Sequence, residues 1–208
     1  MKSVRDVLTV PEICWKELRL QRTGCDKTNP VPGYLRSLQK DLEWVLPHID
    51  RPPVGILDIG CGLGGIDILL RRQIECHTTL FDRNAMDRKV RYGYTSAEQM
   101  SAYCTRAATE ALQKANPSPP TSTWEFTSDD PWTGRTYDVV ISLISWGFHY
   151  PVETYYVDVV EHLAPAGKVL IDVRKTVIDE ASKIFDADFI LKEQQETLKY
   201  MRCAYVRR

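Results

Sequence analysis

Gly55-Ile56-Leu57-Asp58-Ile59-Gly60-Cys61-Gly62-Leu63-Gly64-Gly65 decides the fold. An apolar run from Val54 ends in an acid and passes through a glycine-rich turn into Ile66-Asp67-Ile68-Leu69-Leu70. The first part reads as a buried strand and the last as a helix. Glycines let the backbone turn sharply and approach a ligand closely. The turn delivers that ligand to the first free N–H groups of the following helix. In an open α/β sheet such a turn sits at the carboxyl end of the first strand. The stretch therefore predicts a nucleotide-type cofactor site.

Gly60, Gly62 and Gly65 satisfy G-x-G-x-x-G, and Asp82 follows about 20 residues on, as a dinucleotide fingerprint requires. Asp58 points elsewhere. A carboxylate beside a phosphate-binding turn would repel a pyrophosphate, whereas it suits a cofactor carrying an ammonium and a sulfonium. LDIGCGLGG resembles the first motif of the class I S-adenosylmethionine (SAM) methyltransferases. The resemblance extends over residues 54–208, through Asp82, Tyr137-Asp138-Val139-Val140-Ile141-Ser142 and Leu163-Ala164-Pro165-Ala166-Gly167. In the last stretch Ala166 stands where that family often has glycine.

The resemblance implies an α/β fold. It would be a single Rossmann-like doubly wound sheet of seven strands, mostly parallel, with an antiparallel C-terminal hairpin and helices on both faces. It implies SAM as cofactor, held by Asp58, Gly60, Cys61, Gly62 and Gly64 at the turn. Asp82 would accept from the ribose hydroxyls, and Asp129, chosen over Asp130, from the adenine amine. Ser142, at the carboxyl end of the fourth strand, is placed with the cofactor.

Composition bounds the rest. At 208 residues one structural domain is expected. Within it, 1–50 reads as an N-terminal helical cap or lid and 51–208 as the SAM-binding part. A net charge of −1 and a pI near 6.4 give no electrostatic case for nucleic acid or an acidic membrane as partner. No apolar run approaches the length of a membrane span, and Met1-Lys2-Ser3-Val4-Arg5-Asp6 does not lead into a signal-peptide core. Six scattered cysteines without a C-x-x-C pair read as reduced thiols, so a cytoplasmic protein with no metal site is expected. The sequence leaves room for a homodimer.

Hydrophobic spacing predicts the order of elements. A helix over 34–49 carries Leu35, Leu38, Leu42, Val45, Leu46 and Ile49 on one face. Strands follow at 54–59, 78–81, 123–127, 137–143 and 168–173. Helices are expected near 64–72 and at 177–185, with another after Pro151. A long helix is expected to open on a capping box, Ser96-x-x-Gln99. Met100, Tyr103, Cys104, Ala107, Ala108, Ala111 and Leu112 would form its buried face. Two closing strands over 187–192 and 199–206 make the hairpin. Asn84–Thr95 and Trp15–Arg22 are candidate lids.

Ser142–Pro151 is expected as a loop at the ligand edge of the sheet. Trp146 and Tyr150 are candidate substrate walls, His149 is a candidate general base, and Arg174 could hold an anionic or polyhydroxyl substrate. The loop lacks the Asp/Asn-Pro-Pro-aromatic signature of many amine methyltransferases and a Pro-Cys pair for attack on a pyrimidine. The expected function is methyl transfer to a small-molecule or glycan acceptor, at a hydroxyl. The alternatives are an NAD(P)-dependent oxidoreductase and a non-catalytic SAM-binding module.

Overall fold

The computed structural model describes residues 8–20, 28–49, 54–86 and 103–208. In chain order the helices are α1 (Trp15–Leu20), α2 (Val31–Val45), α3 (Gly65–Gln73), α4 (Arg106–Ala115), α5 (Glu153–His162) and α6 (Ile178–Phe185). The strands are β1 (Val54–Ile59), β2 (Cys76–Phe81), β3 (Ala85–Met86), β4 (Tyr103–Cys104) and β5 (Thr123–Thr127). They continue with β6 (Tyr137–Ser142), β7 (Ser145–Tyr150), β8 (Leu163–Arg174), β9 (Phe189–Glu196) and β10 (Tyr200–Arg207).

Seven strands form one sheet in the order β5-β2-β1-β6-β8-β10-β9. The pairs from β5 to β8 are parallel, with Ile59 opposite Phe81 and Ile56 opposite Val139. β10 runs antiparallel to both neighbours and is inserted between β8 and the edge strand β9. Strand order reverses at the β1–β6 junction, which opens a crevice at the carboxyl ends of these strands.

Strand alternation divides the core into two layers. Ile56, Val139, Ile141, Leu170 and Ala204 face α2, α3 and α4, where Leu38, Leu42, Ile68, Leu70, Ala108 and Leu112 are buried. Leu57, Ile59, Val140, Ile171 and Tyr205 face the opposite layer with Val159 of α5 and Phe185 of α6. Each fully buried aliphatic side chain contributes about 1.5–3 kcal/mol. Phe185 stacks on Tyr205, ring centroids 4.3 Å apart, and seats α6 on β10. The described residues preceding the sheet share the first layer: Leu8, Cys14 and Leu18 belong to it.

Four expectations are corrected. The helix expected from the Ser96 capping box begins at Arg106, capped by Thr105, whose hydroxyl accepts from the Ala108 N–H at 3.4 Å. Ser96, Gln99 and Met100 lie outside the described residues, as does all of the candidate lid beyond Met86. Tyr103 and Cys104 are extended and pair with Met86 and Ala85. The buried side of α4 is Ala108, Thr109, Leu112 and Gln113, with Ala107 exposed. Ser145–Tyr150, expected as loop, is extended. Finally, β8 begins at Leu163, because the 164–167 turn is absorbed as a register shift between Tyr137↔Leu163 and Val139↔Lys168. Ala166 is left-handed there, with φ 58°. A left-handed backbone favours glycine, so Ala166 holds this conformation at a steric cost.

Candidate functional site

A cavity of about 610 Å³ opens at the β1–β6 crevice, within the usual size of small-molecule sites. Its floor is the turn after β1. Gly60, Gly62 and Gly64 all have φ between 55° and 74°. At Gly60 and Gly64 space is also short: a Cβ would lie 1.7 Å from Ser145 Oγ and 2.7 Å from Gln113 Nε2, respectively. The Gly60 N–H donates to the Phe81 carbonyl at 2.7 Å, which ties the turn to the end of β2.

Side chains of α4 hold the turn from behind. Thr109 Oγ1 donates to the Gly62 carbonyl at 2.9 Å, and Gln113 Nε2 to the Gly64 carbonyl at 2.9 Å. Gln113 Oε1 in turn accepts from buried Arg71. Asp82 Oδ2 accepts the Gly62 N–H at 2.8 Å. Asp82 therefore supports the turn, and a carboxylate has acceptor sites beyond that one bond. Burial pushes its pKa up to about 6.

Beneath the turn lie two carboxyls. Asp58 is 3% exposed and Asp67, in the first turn of α3, is 0% exposed. Burial, then the Asp67 charge, drives Asp58 well above the ordinary carboxylate range. Burial also raises Asp67, against the pull of the Arg71 cation. Burial, followed by the Asp82 charge, also pushes the Cys61 thiol up, leaving it a small space-filler with little thiolate character.

The opposite wall comes from β7 and the β9–β10 turn. Phe148, His149, Tyr150, Lys199 and Tyr200 line it, with Arg174 at the end of β8. His149 is half-buried. Burial and the nearby Arg174 cation hold its pKa down at about 4, so the imidazole is neutral near pH 7. Arg202 forms the structure behind this wall. It is 5% exposed and donates to both Asp172 oxygens at 2.7 and 2.9 Å and to Asp41 at 2.9 Å. That cluster pins α2 to β8 and β10.

Of the residues singled out by sequence, Asp58, Gly60, Cys61, Gly62, Asp82, His149, Tyr150 and Arg174 line the cavity. Gly64, Asp129, Ser142 and Trp146 do not. Asp129 is exposed on the loop after β5. Ser142 Oγ donates to the Ile59 carbonyl at 2.8 Å and accepts the Trp146 N–H at 2.9 Å, a brace between β1 and β7. Trp146 is turned into the core by that brace. It is 0% exposed, and its indole N–H donates to the Val152 carbonyl at 2.7 Å.

Sequence reasoning missed Tyr34, Ser37 and Asp41 of α2, which line the cavity with Leu38. Their spacing is helical, so the signal was present as polar positions beside the apolar stripe. It missed the α4 contacts because Thr109 and Gln113 carry no motif. Trp15–Leu20 is helical, and its Glu17 is buried, accepting from the Thr105 N–H at 3.1 Å and hydroxyl at 2.8 Å. Among the described residues no group of three or more His, Cys, Asp or Glu is placed to hold a metal. No described helix is long and apolar enough to cross a membrane, and the five described cysteines are free.

No family model matches the chain, and no curated protein matches its sequence. The fold has close counterparts among solved structures. Magnesium protoporphyrin IX methyltransferase from Synechocystis, solved with bound SAM, superposes with a TM-score of 0.57 at 17% identity, over 91% of this chain and 90% of that one. The ribosomal protein L11 methylase of Lactobacillus delbrueckii gives 0.56 at 15% identity, covering 85% and 82%. A methyltransferase from Pyrococcus furiosus gives 0.54 at 12% identity, covering 81% and 82%. The chain therefore has the class I methyltransferase fold. At these identities the likeness carries the fold and not the acceptor, and a fold alone does not specify chemistry.

Proposed function

We propose that the protein transfers a methyl group from SAM to a hydroxyl of a small acceptor. The observation that carries this reading is the left-handed glycine turn at the strand-order reversal, with its Gly62 N–H bound to Asp82 and Asp58 buried beneath it. These residues fit the cofactor. The turn brings bare backbone to the cavity, Asp82 has acceptor capacity for ribose hydroxyls, and Asp58 puts a carboxyl where an ammonium would be favoured. Gly60 and Cys61 complete that side. When bound, SAM supplies an electrophilic methyl group, and its loss leaves a neutral thioether that needs no acid catalyst.

The chain's remaining work is on the acceptor. Phe148 and Tyr150 present apolar surface that excludes water and aligns the acceptor for in-line attack. His149, neutral and lining the cavity, accepts the hydroxyl proton. Its low basicity puts its contribution toward the lower end of the usual 10²–10⁴-fold range for a positioned base.

Calorimetric titration with SAM and with NAD tests the cofactor, and mass-spectrometric tracing of labelled methyl groups tests the transfer. SAM binding with no NAD binding, followed by label in a hydroxyl compound, is the expected result. NAD binding without SAM binding would turn the reading to an oxidoreductase. SAM binding without transfer to any acceptor would turn it to a binding module.

A further inference from the structure

Four cations meet where β8 and β10 leave the sheet beside the cavity. Two are closed off. Arg202 is paired with Asp172 and Asp41, and Lys175 with Glu196. The other two, Arg174 and Lys199, both line the cavity. Among the described residues neither has a carboxylate partner. Arg174 is half-buried and spends one donor locally, its Nε–H on the Phe148 carbonyl at 3.0 Å. A guanidinium has five N–H groups, so four remain, in the planar fork that matches a carboxylate.

The surface between this cation and the cofactor turn is aromatic. The Arg174 guanidinium lies 4.4 Å from the centre of the Phe148 ring. Phe148 meets Tyr200 edge-on at 6.0 Å and His149 at 4.9 Å, and His149 meets Tyr150 at 6.5 Å. Tyr150 in turn feels the Asp82 charge, and Ser145, at the start of β7, is packed against Gly60. The cavity is thus bipolar. Carboxyls Asp58 and Asp82 mark the cofactor end, and two cations without a carboxylate among the described residues mark the far end of a ring-lined wall.

We infer that the acceptor is a small planar hydroxy compound bearing a carboxylate, which Arg174 grips bidentately with Lys199 adding charge, while its ring lies on Phe148 and Tyr200 and its hydroxyl faces His149. This inference rests on the methyltransferase reading for the fate of the hydroxyl. The anion site itself rests on the Arg174 and Lys199 cations lining the cavity and on the aromatic wall. A neutral sugar would leave a half-buried fork without its counter-charge.

The test uses the full chain saturated with S-adenosylhomocysteine, titrated by calorimetry with 4-hydroxybenzoate and with neutral 4-hydroxybenzamide. The carboxylate should bind at least about tenfold more tightly, and Arg174→Gln should weaken it about 10- to 100-fold while leaving the amide within about twofold. Arg174→Lys, which keeps charge and loses the fork, should fall between. It also serves if the glutamine variant fails to fold. Equal affinity for the two probes, no binding of either at 10 mM, or an unchanged carboxylate affinity in a folded Arg174 variant would each overturn the inference. Absence of S-adenosylhomocysteine binding to the wild type would instead refute the methyltransferase reading. The probes are then titrated into the unloaded protein, where the anion site stands or falls by the same comparison.

Discussion

Gly60→Ala tests the joint between the cofactor turn and the acceptor wall. Gly60 has φ 74°, so any Cβ incurs the left-handed cost of about 1–2 kcal/mol. That Cβ would also sit 1.7 Å from Ser145 Oγ and 2.4 Å from Ser145 Cβ. Rotating the hydroxyl away relieves only the first overlap, so the start of β7 must move, at about 1–3 kcal/mol for an overpacked site. The expected loss is about 2–5 kcal/mol in urea unfolding, together with weaker SAM binding. Ser145→Gly removes both overlapping atoms and leaves Ser145 Cα at 3.8 Å, an ordinary contact. The double variant should therefore recover the overlap cost and retain only the backbone cost. A double-mutant cycle would show a coupling of about 1–3 kcal/mol. Additivity of the two changes within about 0.5 kcal/mol would refute the reasoning, as would near-wild-type stability of Gly60→Ala.

Asp82 has a folded pKa of about 6 against an ordinary 3.8. Its contribution to apoprotein stability is fully present below pH 3.8 and is lost as pH rises through 6, while SAM affinity should rise over the same window as the carboxylate forms. Asp82→Ala should cost about 2–4 kcal/mol of SAM binding and flatten that pH dependence, measured by calorimetry. His149, depressed from 6.5 to about 4, contributes stability that is present above pH 6.5 and lost as pH falls toward 4. His149→Ala should lower kcat about 10²-fold with SAM affinity unchanged, and should remove an acidic limb of kcat/KM whose midpoint lies near pH 4. Wild-type turnover in the folded variant would sink the base role. Arg202→Met strands the buried Asp172 and should cost about 3–5 kcal/mol in urea unfolding. A loss under about 1 kcal/mol would mean that the Asp172 charge is relieved another way.

The sequence by itself determined the strand, turn and helix of residues 54–73, the edge strand at 123–127, the central strand at 137–142, and the closing hairpin. Those features are local. Period-two and period-3.6 spacing, glycine punctuation and a strand-ending acid act on neighbours along the chain. It also located one end of the site, because an open α/β sheet binds ligands at the carboxyl ends of its strands. Only the tertiary structure decided the rest. Ser142 and Trp146 sit in the same stretch as His149 and Tyr150, yet a hydroxyl brace to the Ile59 carbonyl turns the indole inward. Asp58 is held well above the ordinary carboxylate range because it is buried beside the Asp67 charge, an environment that spacing does not reveal. Thr109 and Gln113 act on a turn some fifty residues earlier, and Arg202 holds Asp41 of α2 across most of the chain. Such partners are chosen by which faces pack after the sheet has formed. Burial then fixes which of these polar groups need a counter-charge, as Asp172 needs Arg202.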